Sequence, residues 1–164
     1  MLLFLDVIDA FNRERVQYVV AGGLAVVLHG HARLTADIDI VVGLDKQNAA
    51  KAVEIVSGLG YIPRAPVNPI KFADKKSRAL WIKNKGMTMF SFHKKDNPLI
   101  GVDFFIDYPI EFTGLMSRAI VKDLGKIPVR VASIKDLISM KRKAGRIKDL
   151  EDVRILEMIR HEKD

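Results

Sequence analysis

The sequence contains no cysteine among its 164 residues. Disulfide bonds and thiolate metal sites are therefore excluded, which favours a reducing compartment such as the cytoplasm. It also lacks a long apolar run, because the uncharged stretch Val16–Gly30 is shorter than the roughly 20 residues that a membrane-spanning helix needs. Asp6 interrupts the apolar start of the chain, and no basic residue precedes it, so no signal sequence is expected. We expect a cytoplasmic protein without a membrane partner.

The composition is that of a folded domain. Hydrophobic residues make up 49% of the chain and charged residues 29%, which is typical of globular proteins. A length of 164 residues is sufficient for one hydrophobic core. We therefore expect a single domain over 1–164.

Positive charge is concentrated in the middle of the chain. The segment Arg64–Lys95 holds nine basic residues and one acid, Asp74, so its own net charge is +8. The rest of the chain carries −1, which gives the whole chain its net charge of +7. Such a segment favours an anionic partner, a nucleic acid or a nucleotide. The alternative is a solvated hairpin that only aids solubility.

Hydrophobic periodicity predicts an α/β (α+β) fold, a small mixed β-sheet with flanking helices and a helical C-terminal part. The predicted helices are 2–15, 24–29, 45–59, 134–144 and 148–161. The predicted strands are 16–21, 37–42, 79–83, 87–93, 100–106, 118–121 and 127–131. Strands 79–83 and 87–93 are expected to pair as a hairpin through Asn84-Lys85-Gly86.

Two aspartates lie on the strand predicted for 37–42. Residues two apart on a strand point to the same face, so Asp37 and Asp39 can converge while Ile38 points to the core. Carboxylate oxygens are the ligands that Mg²⁺ prefers. The alternative is that both are simply polar residues at the end of a strand.

A glycine pair, Gly22-Gly23, separates the first predicted strand from a helix. Glycines at this position leave backbone amides open, and a phosphate can approach them without meeting a Cβ. Neither a P-loop lysine nor a G-x-G-x-x-G pattern follows. Taken alone, the pair is also consistent with a tight turn between strand and helix.

The order of these features is more specific than any one of them. Gly-Gly-x-Ala, then His-Gly, then Arg-x-Thr-x-Asp-Ile-Asp run from Gly22 to Asp39. This pattern resembles the nucleotidyltransferase superfamily that shares the fold of DNA polymerase β. In particular it is similar to the bacterial branch that includes abortive-infection toxins of toxin–antitoxin systems. A later Lys/Arg-x-Lys-Asp-x-x-Asp helix of that branch is matched by Arg146–Asp152.

The resemblance implies a catalytic core at about 1–107 and a C-terminal strand and helix extension at about 108–164. It implies a transferase that moves a nucleoside monophosphate from a nucleoside triphosphate such as ATP to a hydroxyl acceptor, RNA (tRNA for example) or protein. Two Mg²⁺ ions, or Mn²⁺, would be its cofactors. Its partners would be the triphosphate, RNA bound through Arg64–Lys95, and a cognate antitoxin or toxin protein.

The resemblance also assigns roles to residues. Gly22 and Gly23 would hold the triphosphate, and Asp37 and Asp39 would bind both metal ions. Asp103 matches the family's third carboxylate, which binds one metal and helps to deprotonate the attacking hydroxyl. Asp107 lies on the same face of that strand and is the rival candidate. Asp103 is preferred because Pro109 closes the strand directly after Asp107.

Other polar residues have two open interpretations each. Arg33 contacts phosphate or lies on the surface, and Thr35 hydrogen-bonds near the metals or supports the turn. Lys141 and Lys148 reach the nucleotide, or pair with Asp149 or Asp152 at helical spacing. Trp81, the single tryptophan, stacks on a base or belongs to the core.

Two other functions remain open from the sequence. One is an antibiotic nucleotidyltransferase that modifies a small drug with a hydroxyl group. The other is a weakly catalytic binding partner, for instance an antitoxin with the same fold. The presence of all the expected carboxylates favours an enzyme over a binding partner.

Overall fold

The apolar segments assemble into one mixed sheet with helices packed against it. The structure, a computed structural model, describes residues 4–163. Within that range the strands are β1 (Tyr18–Ala21), β2 (Asp37–Val42), β3 (Tyr61–Pro63), β4 (Met89–Lys94), β5 (Asn97–Phe105), β6 (Ile120–Leu124) and β7 (Ile127–Val131). The helices are α1 (Leu5–Arg13), α2 (Gly22–Leu28), α3 (Lys46–Gly58), α4 (Lys75–Lys85), α5 (Phe112–Arg118), α6 (Ile134–Ala144) and α7 (Ile147–Lys163), with a 3₁₀ helix at Pro69–Ala73.

The strand order across the sheet is β3-β4-β5-β2-β1-β7-β6. At its centre β2 runs antiparallel to β1 and parallel to β5. Both outer pairs, β3 with β4 and β6 with β7, are antiparallel. The predicted fold class, a small mixed sheet with flanking helices and helices at the C-terminal end, is confirmed. The division into a core and an extension stays a prediction.

The predicted helices and strands of the first sixty residues are observed with small shifts at their ends. The helix predicted for 2–15 is observed at Leu5–Arg13, and residues 2 and 3 lie outside the described residues. Helix α2 begins at Gly22 itself, directly after the buried strand β1. At its other end His29 forms a 2.8 Å hydrogen bond to the carbonyl of Ala132, which fixes α2 beside the end of β7. His29 is therefore structural.

The hairpin predicted for 79–83 and 87–93 is wrong. Residues 75–85 form helix α4, which begins where the Asp74 side chain accepts a hydrogen bond from the Ser77 amide at 3.1 Å. The helix ends at Gly86, whose φ is +59°. The apolar run around Trp81 has the pattern of a short strand, but the N-cap at Asp74 stabilises a helix in its place. Strand β4 instead forms its hairpin with β5.

A second correction concerns the strand predicted for 118–121. Helix α5 continues to Arg118, and the strand begins only at Ile120. The Glu111 side chain starts this helix by accepting hydrogen bonds from the Thr113 and Gly114 amides. Glutamate is an uncommon N-cap, so the sequence pattern does not predict this short helix.

Aromatic side chains fill the core between α4, the 3₁₀ helix and the sheet. Trp81 stacks on Phe90 with ring centroids 5.1 Å apart and planes 5° apart. Phe72 and Phe92 pack on Phe104, all three fully buried. Trp81 is therefore a core residue, not a residue that stacks on a nucleic-acid base. None of the helices formed by residues 4–163 has the length and apolar character that crossing a membrane requires.

Replacing Trp81 by Ala should destabilise the protein by about 3 kcal/mol or more, because its buried ring would leave a cavity against Phe90. The matched control is Leu80→Ala on the same helix, whose side chain is 55% exposed and should cost under about 1 kcal/mol. Urea unfolding followed by circular dichroism measures both. Equal losses would contradict the observed helix.

Candidate active site

Three carboxylates lie on one face of the sheet at its centre. Strand register pairs Asp39 with Asp103 across β2 and β5, and it pairs Asp37 with Gly101. Register partners and residues two apart share a face, so Asp37, Asp39 and Asp103 all point the same way. The residues between them, Ile38 and Val102, point to the opposite face and are fully buried. The core thus fixes the direction in which the carboxylates point.

Two of the carboxylates, those of Asp39 and Asp103, have raised pKa values. Burial, together with the charge of the facing Asp103 and that of Asp37, raises the pKa of Asp39 from its ordinary 3.8 to about 7. Burial also raises the pKa of Asp103, and the charge of Asp37 adds to this effect. The charge of Lys141 acts in the opposite direction, but it offsets only part of the rise in the pKa of Asp39. The cluster is therefore short of positive charge.

Glycines make room for the charged side chains of the site. Gly22 has a φ of +65°, and a Cβ there would overlap the Asp39 carboxylate. A Cβ on Gly101 would overlap the Asp37 carboxylate in the same way. At Gly23 an added Cβ would lie 3.1 Å from a guanidinium nitrogen of Arg33. The start of α2 is therefore open backbone placed directly against the acidic cluster.

A network of ion pairs on α6 and α7 faces the acidic cluster. The ammonium of Lys141 lies 2.8 Å from an oxygen of Asp152 and 3.6 Å from one of Asp149. Arg33 contacts the other oxygen of Asp152 at 2.5 Å, and Arg146 contacts Asp149 at 2.6 Å. Burial alone would raise the pKa of Asp152, but hydrogen bonds and charges of Lys141 and Arg33 lower it overall. Asp152 therefore holds Arg33 and Lys141 in place.

A cleft of about 850 Å³ lies between the cluster and these helices. All nine residues predicted from the sequence line it: Gly22, Gly23, Arg33, Thr35, Asp37, Asp39, Asp103, Lys141 and Lys148. Asp107 lines it too, although it lies past the end of β5 and its carboxylate accepts a hydrogen bond from the Tyr108 amide at 2.8 Å. The structure brings the predicted residues together, and their roles stay predictions.

The contacts of Arg33, Thr35 and Lys141 distinguish between the two roles that the sequence allows for each of them. Arg33 is held in an ion pair at the cleft and is not a free surface residue. The Thr35 hydroxyl donates to the backbone carbonyl of Asp37 at 2.9 Å and so supports the turn into β2. Lys141 is paired with Asp149 and Asp152, yet it still lines the cleft.

The donor chemistry of the cluster suits a divalent cation. Carboxylate oxygens are hard ligands, and bringing three of them together is costly unless a cation is bound, since Asp39 and Asp103 are partly buried. Among residues 4–163, no group of three or more acidic or histidine side chains is arranged so that it could hold a metal ion as it stands. The oxygen ligands of Asp37, Asp39 and Asp103 and the raised pKa of Asp39 favour a bound cation at this face of the sheet.

Sequence reasoning missed two parts of this site. Gly101 gave no signal, because its need for a missing Cβ appears only when β5 pairs with β2. The sequence predicts the contacts of Asp152 only as ion pairs at helical spacing, whereas the structure also pairs Asp152 with Arg33 from a distant loop. The spacing of Asp149 and Asp152 on one helical face was the available signal.

Comparisons with known proteins agree with this geometry. A sequence model of the family described as "Nucleotidyl transferase AbiEii toxin, Type IV TA system" matches residues 4–162. A search of curated protein sequences gives no match. Several solved structures are similar in fold.

One similar structure is the lincosamide antibiotic adenylyltransferase LnuA with lincomycin bound, with a TM-score of 0.63, 16% identity and coverage of 96% of both chains. A second is the antibiotic-resistance factor ANT(2″)-Ia, with a TM-score of 0.62, 15% identity and coverage of 97% of this chain and 88% of the other. A nucleotidyltransferase-like protein from Paracoccidioides brasiliensis has a TM-score of 0.60 at 12% identity, with coverage of 96% and 73%. At these identities the likeness shows the fold.

Replacing Asp39 by Asn should stabilise the protein in a chelating buffer, by about 4 kcal/mol at most above neutral pH. The raised pKa means that the folded state holds this proton more tightly than the unfolded chain does. Ionisation of Asp39 therefore costs stability as the pH rises from about 4 through about 7. Thermal unfolding should show the gap between variant and wild type growing over that window. Asp123→Asn, at an exposed position, is the control, and an equal gain there would contradict the account.

Replacing Gly22 by Ala should lower the melting temperature by several degrees, since the new Cβ meets the Asp39 carboxylate and φ is left-handed. Gly58→Ala is the matched control. A Cβ there meets open space at the end of α3, so this change should be neutral or slightly stabilising. Differential scanning fluorimetry measures both, and an unaffected Gly22→Ala variant would refute the close approach.

Proposed function

The chain belongs to the AbiEii nucleotidyltransferase toxin family and is a nucleotidyltransferase, and on that premise we propose a specific reaction for it. It transfers a nucleoside monophosphate, with ATP as the first donor to test, to a hydroxyl group of an RNA acceptor such as tRNA. Divalent cations, Mg²⁺ or Mn²⁺, are required. A cognate antitoxin protein restrains the activity. The expected cytoplasmic location stays a prediction from the sequence.

One observation carries this proposal. Asp39 and Asp103 are register partners, and the open start of α2 at Gly22 lies directly against Asp39. A phosphate bound at those backbone amides would therefore lie beside the carboxylates. The same cleft is lined by Arg33 and Lys141, which can offset the negative charge of a triphosphate.

The reaction is an in-line displacement at the α-phosphorus. The acceptor hydroxyl oxygen forms a bond to phosphorus while the bond from phosphorus to the pyrophosphate oxygen breaks. The hydroxyl proton passes to the carboxylate of Asp103, and pyrophosphate leaves with the electron pair of the broken bond. Asp103 faces Asp39 across β2 and β5, so its carboxylate would lie beside a phosphate bound at Gly22 and Gly23.

Asp37, Asp39 and Asp103 would hold the divalent cations, which supply Lewis-acid stabilisation of the phosphate charge when bound. The residues of the chain orient the reactants. Gly22 and Gly23 bind the triphosphate through backbone amides. Asp37 and Asp103 belong to rigid neighbouring strands, so the carboxylates need little reorganisation.

The opposite wall of the cleft suits the leaving pyrophosphate. Lys148 lines the cleft, and no acid of residues 4–163 lies within ion-pair distance of it, so its charge is available to a ligand. Arg33 and Lys141 are held by Asp152, which limits their motion toward the acidic cluster. Together they place positive charge where negative charge develops on the leaving group.

The proposal is tested by incubating the protein with Mg²⁺, each α-³²P-labelled triphosphate, total tRNA and a cell lysate. Label on RNA is expected. Label on protein would move the acceptor to that class, and label on an added lincosamide or aminoglycoside would favour an antibiotic-modifying enzyme like the two similar adenylyltransferases. No transfer by the intact protein in any arm would favour a binding partner without catalysis.

Replacing Asp103 by Asn should lower the transfer rate by about 10³-fold or more, because it removes both a cation ligand and the base. Asp107→Asn is the matched control, since Asp107 lines the same cleft but lies beyond β5. It should keep most of the activity in a labelled-transfer assay. The reverse outcome would make Asp107 the third carboxylate.

A further inference from the structure

The acidic cluster continues across the sheet to an arginine. Asp103 is the register partner of Ser91 on β4. The amide of Arg64 donates to the carbonyl of Ser91 at 2.9 Å, one residue past the pairing of Pro63 with Phe92. Laterally paired residues share a face. Arg64 is therefore placed on the same face of the sheet as Asp39 and Asp103.

The side chain of Arg64 reaches back toward the carboxylates. One of its guanidinium nitrogens lies 3.4 Å from the position that a Cβ on Gly101 would occupy, where the Asp37 carboxylate also lies. The same nitrogen donates to the carbonyl of Pro98 at 3.2 Å. The residue is exposed, and within residues 4–163 no carboxylate lies at ion-pair distance from it. A positively charged side chain thus lies beside the cluster with most of its donors unused.

The two arginines near the cluster lie on opposite sides of it. Arg33 lies against Gly23 at the start of α2, next to β1 and β2. Arg64 lies past β5 and β4, toward the other edge of the sheet. In an in-line displacement the attacking and leaving oxygens lie on opposite sides of phosphorus. If the triphosphate is bound at the Gly22–Gly23 side, the acceptor approaches from the side of Arg64.

We propose that Arg64 binds a phosphate of the acceptor next to the attacking hydroxyl, and so selects acceptors that carry a phosphodiester. This inference rests on the proposed function and adds the residue that recognises the acceptor. A guanidinium presents paired donors that match two phosphate oxygens, which a neutral drug or a protein hydroxyl does not offer.

The test compares Arg64→Ala with Arg154→Ala, a change of equal charge on the exposed face of α7. Three quantities are measured for each: kcat/KM for transfer to deacylated tRNA, the slow hydrolysis of the triphosphate by water, and the salt dependence of tRNA binding. Arg64→Lys, which keeps the charge but not the paired donors, is added as an intermediate.

In Arg64→Ala we expect a loss of about tenfold or more in kcat/KM for tRNA, with a much smaller change in hydrolysis by water. The slope of log binding constant against log salt should fall by about one, as expected for one lost phosphate contact. The kcat/KM of Arg64→Lys for tRNA should lie between those of Arg64→Ala and wild type. Arg154→Ala should match wild type.

Equal behaviour of Arg64→Ala and Arg154→Ala would overturn the proposal, as would a parallel loss of transfer and hydrolysis, which would mean that Arg64 acts only on the carboxylates. Label found on protein instead of tRNA would also overturn it. Absence of any transfer by the wild type is a different result, because it removes the proposed function itself.

Discussion

The structure of the site depends on the register between β2 and β5, which holds Asp39 opposite Asp103 against their mutual repulsion. The hydrophobic core on the opposite face of the sheet maintains that register, because Ile38, Ile40 and Val102 alternate with the acids and are fully buried. A shift by one residue would turn the carboxylates into the core and the apolar side chains toward the cleft. Burial of the hydrophobic face therefore offsets the cost of gathering like charges.

The surroundings of the cluster follow from the same constraint. Two glycines, Gly22 and Gly101, leave the space that the carboxylates of Asp39 and Asp37 occupy. Across the cleft, Asp152 and Asp149 are buried with cations of their own, so those charges are balanced. The carboxylates on the sheet, Asp37, Asp39 and Asp103, form no ion pair within residues 4–163. This asymmetry favours binding of cations at the sheet and of phosphates between the sheet and α6.

Much of this could be predicted from the sequence, because the informative residues are close together along the chain. Asp37 and Asp39 have the two-residue spacing of a strand face, and Gly22-Gly23 follows directly on a buried strand. Lys141 lies on a distant helix, and its sequence context left open whether it reaches the nucleotide or pairs with Asp149 or Asp152. The fold class followed from periodicity in the same way.

The rest depended on contacts between residues far apart in sequence. The segment around Trp81 was predicted as a strand because its apolar run is short, while the cap at Asp74 makes it a helix. Gly101 and Arg64 lie beside the acidic cluster only because β5 and β4 pair with their neighbouring segments. Single-residue signals could not show such pairings, because strand order is a property of the whole sheet.

The central claim is that Asp37, Asp39 and Asp103 act as one cation site. The most direct measurement is the anomalous diffraction of crystals grown with Mn²⁺ and a non-hydrolysable triphosphate. The account predicts manganese peaks in contact with these three carboxylates and with phosphate oxygens near Gly22. Manganese bound elsewhere, or no manganese beside an ordered triphosphate in the cleft, would contradict it.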